Sequence, residues 1–383
     1  MSKKSRETHC VHNFGNNGND SMGLNTLIEP SSAFKYSIED QNIYPRYFNT
    51  INQQVICEKI AHLEKAEKAI AFSSGMAAIT TALFNYLGKG DHAIFYCELY
   101  GGTLNLIKSE FEKRDISYTL VKEKTEDAFS EAIQENTKVV YFETPTNPLL
   151  SIVDMHNVAK AAKSKNIVSM IDNTFASPIN QNPIEFDIDL VIHSGTKYLG
   201  GHSDLSFGIV AGKSMLIDDI QKTAINFGGN LNALDCYLIE RSLKTLDVRV
   251  KRQNENALKI AKYLQENQMV LQVFYPGLEN HPMYDIAKKQ MNGFGGMLAF
   301  KLNVHEKSKV DEFLNSLCLV TKALSLGGVE STICVPAETS HIKLTAEERI
   351  EAGITDNTVR LSIGIESVED LIEDFEQAFN TIK

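Results

Sequence analysis

The sequence predicts an α/β fold with a large, mostly parallel sheet domain followed by a smaller C-terminal α/β domain. Three observations predict it. Short apolar runs alternate with helix-periodic runs between about residues 69 and 211, and strands separated by helices call for a parallel sheet covered on both faces. The residues with chemical potential fall at the carboxyl ends of those apolar runs, where open α/β sheets place their sites. At 383 residues the chain is too long for one ordinary core and short for three, so two domains are expected. The expected divisions are an arm over residues 1–47, a large domain over 48–242 and a C-terminal domain over 243–383.

The first fifty residues are rich in Asn, Ser and Gly, as in Asn13-Phe-Gly-Asn-Asn-Gly-Asn-Asp20, and show no sustained period. They read as an arm that lies on something else. Residues 51–68 place Ile51, Val55, Ile56, Ile60 and Leu63 on one face of an amphipathic helix. An apolar strand at 69–72 then leads into Ser73-Ser-Gly-Met76 and a second helical run through Leu87. A strand, a small-residue turn and a helix N-terminus make an anion site, because free backbone N–H groups and the positive dipole end converge there.

Strand-like runs follow at 93–97, 138–143, 167–172, 190–193 and 207–211, with helical runs at 104–113 and 155–164 between the earlier ones. Tyr100 follows the first of these strands, where an aromatic ring can stack on a flat ligand. The run 167–172 ends in Asp172, an acid at a strand end. Residues 190–204 read Leu-Val-Ile-His-Ser-Gly-Thr-Lys-Tyr-Leu-Gly-Gly-His-Ser-Asp and set Lys197 between small hydroxyl residues and a pair of glycines. A lysine near glycine is ordinarily a solvated turn residue. Here a desolvated amine could attack a carbonyl, with Ser194 and Thr196 offering hydroxyls to an anionic group beside it. The chemistry that uses both Lys197 and Asp172 is that of pyridoxal 5'-phosphate (PLP). The lysine holds the cofactor as a Schiff base, and the acid keeps the pyridine nitrogen protonated.

Beyond about residue 243 the pattern shifts to longer charged helices at 250–266 and 307–317 and strands at 296–302 and 359–362. Ser367-Val-Glu-Asp370 reads as a capping box that opens the last helix, with Val368, Leu371, Ile372, Phe375 and Phe379 as its buried stripe.

Composition narrows the function classes. With 38 basic against 49 acidic side chains, the net charge of −11 disfavours nucleic acid or an anionic membrane as partner. No apolar run approaches the ~18 residues of a membrane span. The N-terminal charges have no apolar stretch behind them, so no secretory signal is expected and the chain reads as cytoplasmic. Six cysteines, at 10, 57, 97, 236, 318 and 334, include no Cys-x-x-Cys pair, which argues against zinc and against a disulfide framework. His9-Cys10-Val11-His12 lacks a second ligand pair, so no metal is expected.

Taken with Glu143-Thr-Pro-Thr-Asn-Pro148 and Asp172-Asn-Thr-Phe-Ala-Ser-Pro178, the stretch around Lys197 resembles the cysteine/methionine-metabolism family of PLP enzymes. That family includes cystathionine γ-synthase, the cystathionine β- and γ-lyases and methionine γ-lyase. The resemblance runs from about Thr8 to the C-terminus and implies a fold-type I PLP-dependent transferase fold, similar to aspartate aminotransferase. It implies that the amides of Gly75 and Met76 bind the cofactor phosphate, with Asn147, Thr174, Ser194 and Thr196 among the further cofactor contacts. Tyr44 and Arg46 fill a Tyr-x-Arg motif that reaches the phosphate of the neighbouring subunit, so a homodimer or dimer of dimers is implied. Tyr100 would exchange protons with the leaving sulfur. Ser325-Leu-Gly-Gly-Val-Glu330 and Val359-Arg-Leu-Ser362 also match, which assigns Ser325 and Arg360 to the substrate, the guanidinium gripping its α-carboxylate.

The chain departs from its relatives at three places. Phe48-Asn49-Thr50 stands where the family commonly has Gly-Asn-Pro. Leu324 stands where cystathionine-specific relatives commonly carry a glutamate for the distal ammonium, and Gly102 where methionine γ-lyases carry a cysteine. The expectation is a carbon–sulfur lyase of broad tolerance, acting on cystathionine and smaller sulfur amino acids by β- or γ-elimination. The runner-up is a γ-replacement enzyme making cystathionine or homocysteine from an activated homoserine. A dinucleotide enzyme would need a Gly-x-Gly-x-x-Gly opening its first helix, and none is found. An inactive binding protein on the same fold would be expected to lose Lys197 or Asp172, and both are present.

Overall fold

The computed structural model describes residues 4–13, 23–36, 42–304, 306–342 and 345–383, so the Asn/Gly-rich stretch read as arm at 14–20 lies outside the described residues. Seven strands form the larger sheet: β1 Lys68–Phe72, β2 His92–Tyr96, β3 Ser117–Val121, β4 Thr137–Glu143, β5 Val168–Asp172, β6 Leu190–Ser194 and β7 Gly208–Gly212. Their order is β1-β7-β6-β5-β4-β2-β3. All neighbours run parallel except β7, which is antiparallel to both β1 and β6. Successive residues point to opposite faces, and both faces are covered. Phe95, Tyr141, Met170 and Ile192 pack beneath helices Gly75–Tyr86 and Ser214–Phe227. Their neighbours Ile94, Val140, Phe142, Ile171 and Val191 pack under Met155–Lys163.

Strand β3 has no counterpart among the sequence expectations. It is the edge of the sheet and only its last residue is buried, so it lacks the continuous apolar run that marked the central strands. The helix expected over 51–68 ends at Glu64, because Lys65 turns left-handed at φ 60° and Lys68 already pairs with Gly212. The helix expected over 104–113 begins at Gly101 and loosens into a π-helical turn at Ile107–Phe111.

The smaller sheet comprises β8 Val270–Phe274, β9 Met297–Leu302, β10 Thr321–Lys322, β11 Thr332–Cys334 and β12 Thr358–Ser362, in the order β10-β11-β12-β9-β8. Helices Leu246–Glu266, Lys307–Ser316 and Val368–Thr381 cover it. Phe313 and Phe379 stack with ring centroids 4.8 Å apart, with Phe375 beside them. In the last helix Val368, Leu371, Phe375 and Phe379 are buried and Ile372 is partly so. Ser367 Oγ accepts the Asp370 N–H at 3.3 Å, but its own hydroxyl turns to Glu369. The cap is therefore one-sided, in keeping with an aspartate one methylene shorter than the Glu that closes a capping box.

On the arm, helix Arg6–Val11 lies against helix Ile51–Glu64, where Lys59 Nζ donates to Cys10 O at 2.8 Å. Further along, Pro45–Tyr47 form one 3-10 turn that ends on Phe48 at φ 59°. A phenylalanine in this left-handed position is strained. Its ring lies 5.5 Å from that of Phe72 and is buried, which offsets part of that cost.

Candidate active site

Lys197 sits on a tight turn that begins where β6 ends at Ser194. The Lys197 N–H donates to Ser194 O at 3.2 Å, and the Gly201 N–H closes the turn on Lys197 O at 2.7 Å. Gly195 is required there, since a Cβ would lie 2.1 Å from the Phe207 ring. The amine is within 2.7 Å of Ser325 Oγ, to which it donates. Burial, reinforced by the Arg360 charge and opposed by Asp172, pushes it down to about 8. A substantial neutral fraction is therefore present at mildly alkaline pH, as a nucleophile or base requires.

Asp172 ends β5, and its register partner on β4 is Glu143, so two buried carboxyl groups stand side by side. Burial and then the Asp172 charge push Glu143 well above the usual carboxylate range, although it accepts the Tyr100 N–H at 2.7 Å. Burial raises Asp172 too, but Thr174, whose N–H donates to Oδ1 at 2.9 Å, opposes the rise together with the nearby His193. Two adjacent buried carboxylates cannot both ionise cheaply. Asp172 has the more donors, so it ionises more readily than Glu143, which burial lifts further.

Across the sheet end, helix Gly75–Tyr86 begins with Ser74 Oγ accepting the Ala77 N–H at 3.1 Å. The N–H groups of Gly75 and Met76, in its first turn, have no intrahelical acceptor. A Cβ on Gly75 would lie 2.8 Å from Ser194 Cβ, so only glycine lets the helix start close to the β6 terminus. Ser194 is held there by its N–H, which donates to Thr174 Oγ1 at 2.8 Å. The Thr196 hydroxyl is engaged with the main chain of Phe207, accepting its N–H at 3.1 Å and donating to its O at 3.3 Å. A hydroxyl rotation is needed before it could serve an anion.

Tyr100 caps helix Gly101–Leu106 and is 44% exposed, with its ring free to meet a ligand face. Gly102 leaves room for that ring, since a Cβ would stand 2.4 Å from Tyr100 Cε1. Opposite, Arg360 on β12 is buried and donates to Asn147 Oδ1 at 3.0 Å and to Ser325 O at 3.3 Å. Among the described residues no carboxylate forms an ion pair with this guanidinium, and a buried unpaired cation is a ready partner for a small anionic group.

These side chains line one cavity of about 600 Å³. Of the residues singled out in the sequence, Gly75, Met76, Tyr100, Asn147, Asp172, Thr174, Ser194, Thr196, Lys197, Ser325 and Arg360 all reach it. Tyr44 and Arg46 are not among its lining residues. Arg46 instead donates to Ile225 O at 2.8 Å, its guanidinium 5.8 Å from the centre of the Tyr44 ring. Glu143, Thr339, Ser340 and Ile342 also line the cavity without having been assigned a role. Glu143 carried the same signal as Asp172, an acid at the end of an apolar strand. The loop 339–342 carried none, because it arrives from the other domain.

The family model described as Cys/Met metabolism PLP-dependent enzyme matches residues 7–380. The chain is 39% identical to a cystathionine γ-lyase of Bacillus subtilis over 98% of its own length and 100% of the relative's. It is 43% identical to a cystathionine β-lyase of Lactococcus lactis subsp. cremoris over 84% of each chain. Among solved structures it superposes on cystathionine γ-synthase from Xanthomonas oryzae pv. oryzae in complex with cystathionine. The TM-score is 0.94 at 36% identity, over 99% of this chain and 98% of that one.

Proposed function

Because this chain belongs to the Cys/Met metabolism family of PLP-dependent enzymes, we propose that it is a carbon–sulfur lyase cleaving cystathionine and smaller sulfur amino acids by β- or γ-elimination. The observation that carries the reading is Lys197, its amine depressed to about 8 inside the cavity that also holds Asp172 and Arg360.

The residues present fit PLP. The close approach that glycine at 75 permits leaves the Gly75 and Met76 amides, with the Ser194 hydroxyl, as a cradle for its phosphate. Asp172, the more readily ionised member of the carboxyl pair, suits the pyridine nitrogen, and Tyr100 can lie on the ring face, with Asn147, Thr174 and Thr196 as further contacts. When bound, PLP supplies the electron sink that makes a substrate Cα–H acidic. Lys197 is the group held to tether the cofactor and to take that Cα proton. Arg360 and Ser325 hold the substrate carboxylate, and Tyr100 hands a proton to the departing sulfur.

Tyr44 and Arg46 complete the phosphate site of a second copy, in a homodimer or dimer of dimers. The exposed apolar side chains of the arm, Leu24, Leu27, Ile28 and Ile43, support such an interface. No helix among the described residues is long and apolar enough to cross a membrane, and we place the enzyme in the cytoplasm. Leu324, exposed on the cavity rim, supports tolerance of substrates without a distal ammonium.

The second reading, γ-replacement on an activated homoserine, is favoured by the likeness to cystathionine γ-synthase. Purified protein with PLP is supplied with cystathionine alone, then with O-succinyl- or O-acetylhomoserine plus cysteine or sulfide. Pyruvate or 2-oxobutanoate from cystathionine supports the lyase and tells β from γ cleavage. Faster thioether or homocysteine formation from the ester overturns it.

A further inference from the structure

The long helix Leu246–Glu266 turns a line of three polar side chains, Arg249, Gln253 and Asn256, into the protein interior. Their spacing of i, i+4 and i+7 puts them on one face, and they are only 4%, 0% and 1% exposed. The other buried side chains of the helix are Asp247 in its first turn and the apolar Leu246, Val250, Ala257, Ile260, Ala261 and Leu264. Each of the three polar side chains in the line donates to main-chain carbonyls, and each reaches a different loop. Arg249 donates to Tyr198 O at 2.8 Å and to Ser242 O at 3.0 Å. Gln253 donates to Gly328 O at 2.7 Å, and Asn256 donates to Glu366 O at 2.9 Å and Gly364 O at 3.2 Å.

Two of those loops carry Lys197 and Ser325, and the third directly follows strand β12, which carries Arg360. Tyr198 directly follows Lys197, Gly328 lies just after Ser325, and Gly364 just after Arg360. Two of them are also joined directly, by the Val329 N–H donating to Gly201 O at 2.9 Å. Gly201, at φ +71°, makes room for the arginine, since a Cβ there would lie 1.9 Å from Arg249 Nη1. Loops move unless their backbone groups are held, whereas a 21-residue helix anchored in the core is rigid.

We propose that Arg249, Gln253 and Asn256 are positioning residues: one helix face sets the mutual placement of Lys197, Ser325 and Arg360. The inference deepens the proposed function and rests on its assignment of Lys197 and Arg360. Gln253 acts on the 2.7 Å contact between Lys197 Nζ and Ser325 Oγ. Asn256 acts on the guanidinium that meets the substrate carboxylate. The two should fail differently.

The test uses Gln253→Leu and Asn256→Leu in the full chain, with Gln253→Met as a second replacement and Glu255→Gln, on the exposed side of the helix, as control. PLP is added to cofactor-free protein across a pH series and fixed with borohydride, and the labelled peptide is mapped by mass spectrometry. Steady-state rates are measured on holoenzyme, and folding is followed by circular dichroism. For Gln253→Leu we expect a shifted pH midpoint of Lys197 labelling and a kcat lower by up to ~10²-fold, as a misplacement of about 1 Å produces. For Asn256→Leu we expect an unshifted midpoint and a KM for the amino-acid substrate raised about tenfold, the size of one weakened charge-assisted contact. Folded variants with wild-type midpoint, kcat and KM overturn the proposal. So does a fall in rate that merely tracks lost stability, with the midpoint and KM unmoved. Should both Gln253 variants fail to fold, an unchanged KM in Asn256→Leu overturns it. Wild-type protein that takes no label at Lys197 overturns the functional reading and this inference with it.

Discussion

Glu143 and Asp172 face each other across the β4–β5 ladder, each at the carboxyl end of its strand, and burial raises both carboxyls, Glu143 the further. Glu143→Gln should therefore be mild, because the amide carbonyl can still accept the Tyr100 N–H and no charge is removed. Asp172→Asn removes the group proposed to pair with the pyridine nitrogen and should cost about 2–5 kcal/mol of cofactor affinity. Equilibrium titration with PLP separates the two, and equal losses would refute that ordering of the two carboxyls. The pair also bears on folding. A carboxyl raised in the fold takes up a proton on folding, so its contribution falls as pH rises above the ordinary carboxylate value. Denaturant titrations should show that slope diminished in Glu143→Gln.

Lys197→Ala should abolish the visible absorption that arises from PLP bonded to the lysine, and turnover with it, while some cofactor remains held through its phosphate. The neutral amine is the form that reacts, so capture of PLP by wild-type protein should increase as pH rises, with a midpoint near 8. A midpoint near that of an ordinary solvated lysine would show that burial does not tune this group.

Arg46 lies outside the cavity of its own chain. Arg46→Ala and Lys197→Ala proteins should each be nearly inactive. Mixed under conditions of confirmed subunit exchange, they should regain activity at hybrid sites. Absence of recovery would place both residues in one site.

Leu324 stands on the cavity rim with no charge to offer a distal ammonium. Leu324→Glu should raise kcat/KM for cystathionine relative to smaller thioether amino acids by roughly 0.5–1 kcal/mol, the value of a half-solvated ion pair. Competition assays between cystathionine and a neutral thioether measure the ratio directly, and an unchanged ratio would remove Leu324 from the specificity argument.

Gly75→Ala inserts a methyl 2.8 Å from Ser194 Cβ, where backbone rather than a flexible tip must give way. A loss of about 1–3 kcal/mol in stability is expected, together with weaker retention of PLP on dialysis. Thermal melts with and without cofactor report both effects, and full retention would mean that the cradle can widen at no cost.

The central strands, the helices Gly75–Tyr86 and Met155–Lys163 on them, Asp172 and the turn around Lys197 were legible in the sequence, because each is written in adjacent residues, whereas helix Ser214–Phe227 was not among the expected elements. A buried parallel strand must be apolar along its length, and a helix must repeat its apolar side chains every three to four residues. The edge strand β3, exposed on one side, left no such trace, nor did the early end of the helix at Glu64. Tertiary structure alone decided what meets what. Lys197 touches Ser325 across 128 residues of chain, Arg360 bonds Asn147 across 213, and Glu143 feels the charge of Asp172 because two strands came into register. Those distances, and the shifted proton affinities that follow from them, depend on how two domains and one long helix pack. Packing sums weak contacts over the whole chain, and no single segment of sequence carries that sum.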